Sequence, residues 1–290
     1  MGARTYRFTV GDFECLAVSD GVLEYGPPEV PGRVLFANAP PADLDAAVLE
    51  SGGSTPLTRW TEEITCLLVD TGSQRVLLDS GAGALDPATG RLIQELAGAG
   101  VAPSDIDMVI LTHGHPDHVG GLVDPDGSLA FPTARVLLSR REWRFWMEGE
   151  AERALSGETG DFLVEWARQT LPVLQHSLEF VDEAGEPYSG VRYVPAPGHT
   201  PGHLVVELSS RGERLLYVAD LVLHPLHVVH PEWHSVFDAE PALIVQARQA
   251  LLAKAAGEAC LIHAFHFPFP GLGRISATST GHTWAAAEDL

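Results

Sequence analysis

The string Thr-His-Gly-His-Pro-Asp-His-Val-Gly-Gly, from Thr112 to Gly121, narrows what this chain can fold into more than any other stretch. It gathers three imidazoles and a carboxylate, from His113, His115, Asp117 and His118, within six residues. Imidazole nitrogen and carboxylate oxygen suit Zn²⁺ and similar divalent ions, and near neutral pH both are in or close to their ligating forms. In an extended or tightly turned segment His113 and His115 point the same way, while Asp117 and His118 fall just past the turn. One short loop could therefore serve two adjacent ions. The competing reading is a solvated polar loop that happens to be rich in histidine. The upstream context argues against it, because Met108-Val109-Ile110-Leu111 suits a strand buried on both faces. The histidines then begin at a strand's carboxyl end, where α/β sheets build their sites. Gly120 and Gly121 permit tight backbone geometry beside them.

With this loop, the chain resembles hydrolases of the metallo-β-lactamase fold superfamily, and the family's remaining ligand positions can be sought downstream. Pro197-Gly198-His199-Thr200-Pro201-Gly202-His203 matches the family's Gly-His-Thr-x-Gly segment, with His199 as the ligand and His203 structural or behind the ligands. Leu215-Leu216-Tyr217-Val218-Ala219-Asp220 reads as a buried strand ending in the acid that bridges both ions. Two histidines follow Cys260-Leu261-Ile262, namely His263 and His266. His266 is preferred, since it opens His-Phe-Pro-Phe-Pro-Gly-Leu-Gly, a segment similar to the C-terminal ligand loop of the branch containing methyl parathion hydrolase. His263 sits at the end of the apolar run, where a core histidine with one backbone hydrogen bond is the commoner outcome. The resemblance runs from about Phe13 to Arg274.

It implies an α/β fold: a four-layer αβ/βα sandwich of two mixed sheets with outer helices, with the site on one rim. Residues 1–290 would form a single domain of two αβ halves, roughly 1–150 and 151–290. His113, His115 and His199 would hold one ion, Asp117, His118 and His266 a second, and Asp220 both. Two divalent cofactor ions, zinc by donor type, would lower a shared water's pKa from about 15.7 to near 7. The resulting bridging hydroxide would attack a carboxylic ester, a lactone or an aryl phosphotriester. Asp117 could pass a proton to the leaving group. Asp79, ending the Val76-Leu77-Leu78 strand before Ser80-Gly81, would orient a ligand histidine from behind. Of His224, His227, His230 and His234 in the loop after Asp220, His224 is the candidate either to donate a hydrogen bond to substrate or to support a ligand from behind, and the others read as structural or exposed.

Asp220 stands where β-lactamases of the commonest class carry Cys, which disfavours antibiotic hydrolysis. Leu223 stands where acyl-homoserine lactonases of this fold carry a Tyr, so their way of steadying the substrate carbonyl is in doubt. The net charge of −21, from 39 acidic and 18 basic residues, repels phosphate backbones and anionic lipid surfaces. Nucleic acid and membrane are thus excluded as partners, and the nuclease branches need a large extra domain for which the chain has no spare length. Neutral or weakly charged small molecules are favoured. A glyoxalase II-like thioesterase would need a cationic site, and a persulfide dioxygenase-like oxidoreductase would hold one iron through fewer of these ligands. Cys15, Cys66 and Cys260 are sparse, odd in number and flanked by apolar residues, which reads as free thiols in a reducing compartment. With no apolar leader at the N-terminus and no membrane-length apolar run, a cytoplasmic location is expected. Family members are often dimers, and no feature of this chain decides a homodimer.

Pattern reading places strands at Tyr6–Val10, Phe13–Ser19, Ile64–Asp70, Arg75–Asp79, Ala134–Leu138, Leu178–Val181, Val191–Val194, Leu204–Leu208 and Leu215–Ala219. Helices are expected from Asp86-Pro87 to about Gly98, from Glu142–Met147 onward, and over Phe162–Leu171 and Pro241–Ala256. The last should bury Leu243, Ala247, Ala250 and Leu251. Tyr25–Pro56 reads as a long Pro- and Gly-rich loop that either packs on the surface or reaches the site with Phe36 at its entrance. Trp143, Phe145 and Trp146 either wall a pocket or belong to the core.

Overall fold

The computed structural model describes residues 4–27, 30–124 and 126–287. The first three residues of the segment searched for a leader, and Pro28 and Glu29 of the Tyr25–Pro56 stretch, lie outside the described residues. The first sheet is built from β1 (Thr5–Val10), β2 (Phe13–Tyr25), β3 (Trp60–Asp70), β4 (Arg75–Leu78), β5 (Met108–Ile110), β6 (Arg135–Ser139) and β7 (Leu178–Val181), in that spatial order. The second holds β8 (Gly185–Tyr188), β9 (Val191–Pro195), β10 (Leu204–Ser210), β11 (Glu213–Tyr217), β12 (Leu261–His263), β13 (Leu272–Ala277) and β14 (His282–Ala286), again in sequence order across the sheet. Both sheets are mixed. Pairing is antiparallel from β1 to β4 and parallel from β4 to β7, while in the second sheet only β11 and β12 run parallel. This is the αβ/βα sandwich expected from the sequence.

The helices are α1 (Pro31–Leu35), α2 (Pro41–Glu50), α3 (Leu92–Gly98), α4 (Pro116–Val119), α5 (Arg140–Met147), α6 (Ala151–Ala154), α7 (Gly157–Leu174), α8 (Leu226–Val229) and α9 (Pro241–Glu258). Among them, α3 packs on β2, α5 on β6 and α9 on β13. One apolar cluster draws from both sheets, including Leu16, Ile64, Leu77, Val109, Val206 and Tyr217, so the sheets share an interior. The chain leaves the first sheet after Val181 rather than near residue 150, because α7 returns it there as β7. No described helix is long and apolar enough to cross a membrane.

Four local expectations need correction. Tyr25–Pro56 is not a featureless loop, since prolines at the first turn start both α1 and α2 within it. Phe36 is fully buried there and packs on His224, His227 and Trp233, away from any entrance. The helix expected from Asp86 begins only at Leu92: the Asp86 carboxylate turns locally onto Ala88 N, and Gly90 takes a φ of 77°. Asp20 of β2 reaches across instead, accepting from Gly90 N at 3.1 Å and from Leu92 N at 2.8 Å. The buried face of α9 carries Ile244, Arg248, Leu251, Leu252 and Ala255, and Leu243 is exposed. Arg248 is inside because its guanidinium donates to the carbonyls of Leu221, Pro231 and Trp233.

The parallel β4–β5–β6 core supports the loops described below, and Leu77 of β4 is wholly buried within it. Leu77→Ala is expected to cost about 2–5 kcal/mol of unfolding free energy through lost burial and the residual cavity. Urea denaturation measures this, and a loss below about 1 kcal/mol would show that the interior re-closes around the site.

Candidate metal centre

β5 ends at Ile110, and the chain passes through Thr112 into a tight loop from which Pro116 starts the short α4. The His115 backbone is extended at the start of that turn, and His118 comes round on the helix. Backbone hydrogen bonds pin the loop: Ser80 N donates to the His118 carbonyl at 2.8 Å, and Leu204 N donates to the Thr112 carbonyl at 2.8 Å. Gly121 lies so close to Ser80 that a Cβ would overlap the Ser80 carbonyl. The other contributors arrive from the second sheet. His199 lies between β9 and β10, Asp220 follows β11, and His266 follows β12. Thr65 N of β3 donates to the Phe265 carbonyl, tying the His266 loop to the first sheet.

All seven expected groups converge. Donor atoms of His113, His115, His199 and Asp220 lie within 4.8 Å of one another, and so do those of Asp117, His118 and His266. Asp220 is central. Its Oδ1 lies 3.1 Å from His118 Nε2, while Oδ2 lies 3.2 Å from His199 Nε2, 3.3 Å from His266 Nε2 and 3.7 Å from His113 Nε2. His199 Nε2 is also 2.9 Å from His115 Nδ1.

The opposite ring nitrogens are held from behind. His118 Nδ1 is 2.9 Å from Asp79, and His199 Nδ1 is 2.9 Å from Asp238. His266 Nδ1 is 2.9 Å from the Glu63 carbonyl and 3.3 Å from the Glu62 carboxylate. These oxygens accept, so Nδ1 carries the proton and the Nε2 lone pair faces inward, as a ligand histidine requires. Asp79 is itself fixed by the Thr112 amide at 2.7 Å and the Tyr217 hydroxyl at 2.9 Å. Two non-glycine residues adopt left-handed backbone here, Asp79 with φ 57° and Ala219 with φ 43°. Each such residue costs on the order of 1–3 kcal/mol, and both flank the cluster at strand ends.

The electrostatics call for positive charge. Burial would push His118, His199 and His266 down, yet the surrounding carboxylates, Asp220 or Glu62 foremost, carry His118 well above its ordinary value and the other two to about 9. Burial would push Asp220 up, and the facing imidazoles instead hold it well below the usual carboxylate range. His113 and His115, pushed well below by burial, stay neutral. The Nε2 atoms of His113, His115 and His118 are buried without a hydrogen-bond partner. Polar atoms so placed are costly unless something fills their lone pairs. A donor set of nitrogen and carboxylate oxygen around buried negative charge fits divalent cations.

Other expected residues separate clearly. His224 is not brought to the cluster: the chain turns after Leu223 into α8, so its ring packs on Phe36 and Trp60 while Nδ1 accepts from Leu226 N. His203 Nε2 accepts from Asp220 N at 3.3 Å, a supporting contact. His263 stacks on Tyr217, but neither ring nitrogen has a partner, so the backbone bond expected for it is not formed. His227 meets the Leu35 carbonyl, and His230 stacks on Trp233. Phe145 and Trp146 belong to the core, and Trp143 packs beside it on Phe180. Sequence reasoning missed Asp238, Glu62 and the fully buried Glu142. Glu142 left a legible signal, being an acid on the same helical face as Phe145 and Trp146.

The centre floors a cleft of about 340 Å³. Its walls include Leu23, Tyr25, Val34, Phe162, Leu163, Leu223 and Phe237, and no Lys or Arg is among the described residues lining it. A family model described as the metallo-beta-lactamase superfamily matches residues 60–263. The dizinc quorum-quenching lactonase AidC, solved with its product N-hexanoyl-L-homoserine, superposes with a TM-score of 0.89 at 29% identity, covering 97% of each chain. The hydrolase AbOPH superposes at 0.87 with 28% identity, over 99% of this chain and 98% of that one. The beta-lactamase-like protein 2 homolog of Drosophila melanogaster is 28% identical over 62% of this chain and 54% of its own. A probable metallo-hydrolase of Mycobacterium tuberculosis is 28% identical over 54% of this chain and 56% of its own. The chain spans about half the length of these curated relatives.

Asp238 holds His199 from the loop between α8 and α9. Asp238→Asn is therefore expected to weaken metal uptake about 10–100-fold, since an amide no longer enforces the Nδ1–H tautomer. Chelator competition measures the change, and unaltered uptake would show that His199 is oriented by other contacts.

Proposed function

This chain belongs to the metallo-beta-lactamase superfamily, and on that premise we propose that it is a dinuclear metal-dependent hydrolase of neutral lactones and carboxylic esters. The observation that carries this reading is the convergence of seven metal-binding side chains at the floor of an apolar cleft without a basic wall. His113, His115 and His199 would hold one cation, Asp117, His118 and His266 the other, and Asp220 would serve both. When bound, two such ions supply an activated water and Lewis acidity at a carbonyl or phosphoryl oxygen.

The protein's own residues do the rest. Val34, Phe162, Leu163 and Phe237 offer an apolar wall for an acyl arm, which places the ester bond over His115, His199 and Asp220. Asp117 lines the same floor, with Oδ2 3.4 Å from His266 Nε2, and can deliver a proton to the departing oxygen. Ring opening breaks the acyl C–O bond and puts the water oxygen on the carbonyl carbon; one of the water's protons goes to the ring oxygen and the other is lost to solvent from the new carboxylic acid. A neutral substrate thus becomes an anionic product, which a chain of net charge −21 repels. A thioesterase acting on a polyanionic thiol conjugate would lack a cationic anchor in this cleft.

The near-full-length likeness to AidC supports N-acyl homoserine lactones as the leading substrate class. The segment opened by His266 supports a position near the methyl parathion hydrolase and lactonase-like branch, with aryl phosphotriesters as side substrates. Leu223 lines the cleft, so no phenol reaches the substrate from that position.

Zinc-loaded protein assayed against N-acyl homoserine lactones, aryl esters and phosphotriesters tests the proposal. Lactones should be opened fastest, chelation should abolish turnover, and zinc should restore it. His115→Ala should lower kcat/KM by at least about three orders of magnitude. Hydrolysis that stays at the buffer rate, or that survives His115→Ala unchanged, contradicts the reading.

A further inference from the structure

Glu142 lies on α5, outside the seven converging groups, and its side chain is completely buried. Its two oxygens divide their work. Oε1 accepts from Gly114 N at 2.9 Å and from Trp146 Nε1 at 2.6 Å. Oε2 accepts from Thr200 Oγ1 at 2.6 Å and from Gly202 N at 3.1 Å. Gly114 separates His113 from His115, while Thr200 and Gly202 follow His199. One oxygen therefore serves the ligand loop of the first sheet and the other serves the ligand loop of the second.

The glycines at both contacts are dictated by the same helix. A Cβ on Gly114 would fall 2.5 Å from Trp146 Nε1, and one on Gly202 would overlap the backbone of Glu142. Both loops are thus pressed onto one turn of α5, with a single carboxylate between them. Burial pushes the Glu142 carboxyl up, and the four donors pull the other way while occupying both oxygens. A buried carboxylate with this many partners is expensive to misplace, which makes the distance between the loops stiff.

We propose that Glu142 is a positioning residue that clamps the two ligand loops together and thereby sets the His115–His199 spacing of the first cation site. The inference rests on the two-cation reading. It goes further in assigning control of one site, and not the other, to a side chain that touches neither ion. His118 and His266 of the second site have their own supports in Asp79, Glu62 and the Glu63 carbonyl, none of which involves α5. Glutamine at position 142 keeps one acceptor oxygen but turns an NH₂ toward the other loop's donors, so one loop must retreat.

The test is a zinc titration against a competing chelator for wild type, Glu142→Gln, Thr200→Val and Thr200→Ser, with amide hydrogen exchange on the same samples. Glu142→Gln should weaken one of the two zinc steps about 10–100-fold and leave the other within about twofold. Exchange at Gly114 and Gly202 should accelerate. Thr200→Val should weaken the same step more mildly, and Thr200→Ser, which keeps the hydroxyl, should match wild type. The clamp is overturned if Glu142→Gln loads both ions as wild type does, or if both steps and thermal stability fall together. Wild-type protein that takes up no zinc overturns the two-cation reading instead. The clamp then fails separately if Glu142→Gln leaves both amides protected.

Discussion

The structure turns on a single buried carboxylate. The two oxygens of Asp220 lie, between them, within 3.7 Å of four imidazole nitrogens, in a nearly buried position with little water to solvate the charge. An isolated ion there would be untenable, so its surroundings must supply positive charge at fixed positions. Protons on the histidines meet that demand in part, and the upward pull on His199 and His266 reflects it. Divalent cations meet it better, because they also fill the inward lone pairs that would otherwise stay unpaired.

Much of the fold follows from holding those groups still. Both sheets aim strand ends at one rim, so rigid hydrogen-bonded strands deliver His113, Asp220 and His266 from different parts of the chain. Short loops then need outside anchors, and they receive them. The His118 carbonyl is held by Ser80, the Thr112 carbonyl by Leu204, and the Phe265 carbonyl by Thr65. Arg248 does the same for the segment after Asp220 by satisfying three carbonyls at once. Left-handed backbone at Asp79 and Ala219 is tolerated because so many contacts over-determine the neighbourhood.

The sequence displayed the converging groups more openly than their supports. Histidines in a dense string, or single acids after buried strands, stand out because their chemistry differs from everything around them. Helix signals were weaker wherever the deciding contact came from afar. Asp86-Pro87 has the form of a helix start, but Asp20, far away in sequence, moved the beginning to Leu92. The edge strand β14 and its neighbour β13 carry short runs without clear alternation and were invisible to pattern reading. Arg248 and Glu142 illustrate the general difficulty: charged residues on an apolar helical face can be read as oddities, but their partners are set by tertiary structure. His224 drew attention by proximity in sequence to Asp220, yet one turn of chain was enough to carry its ring into a separate apolar cluster.

An apolar cleft above a charge-dense floor divides labour between recognition and chemistry. The wall selects for shape and apolarity, and the floor is indifferent to everything but the reacting bond, which is why the substrate class must be read from the wall. All of this presumes that two cations occupy the floor. Anomalous diffraction recorded on both sides of the zinc edge from a zinc-loaded crystal tests that premise most directly. The account predicts two separate peaks, one among His113, His115 and His199 and one among Asp117, His118 and His266, with Asp220 between them. A single peak, or none at the point where these side chains meet, would contradict it.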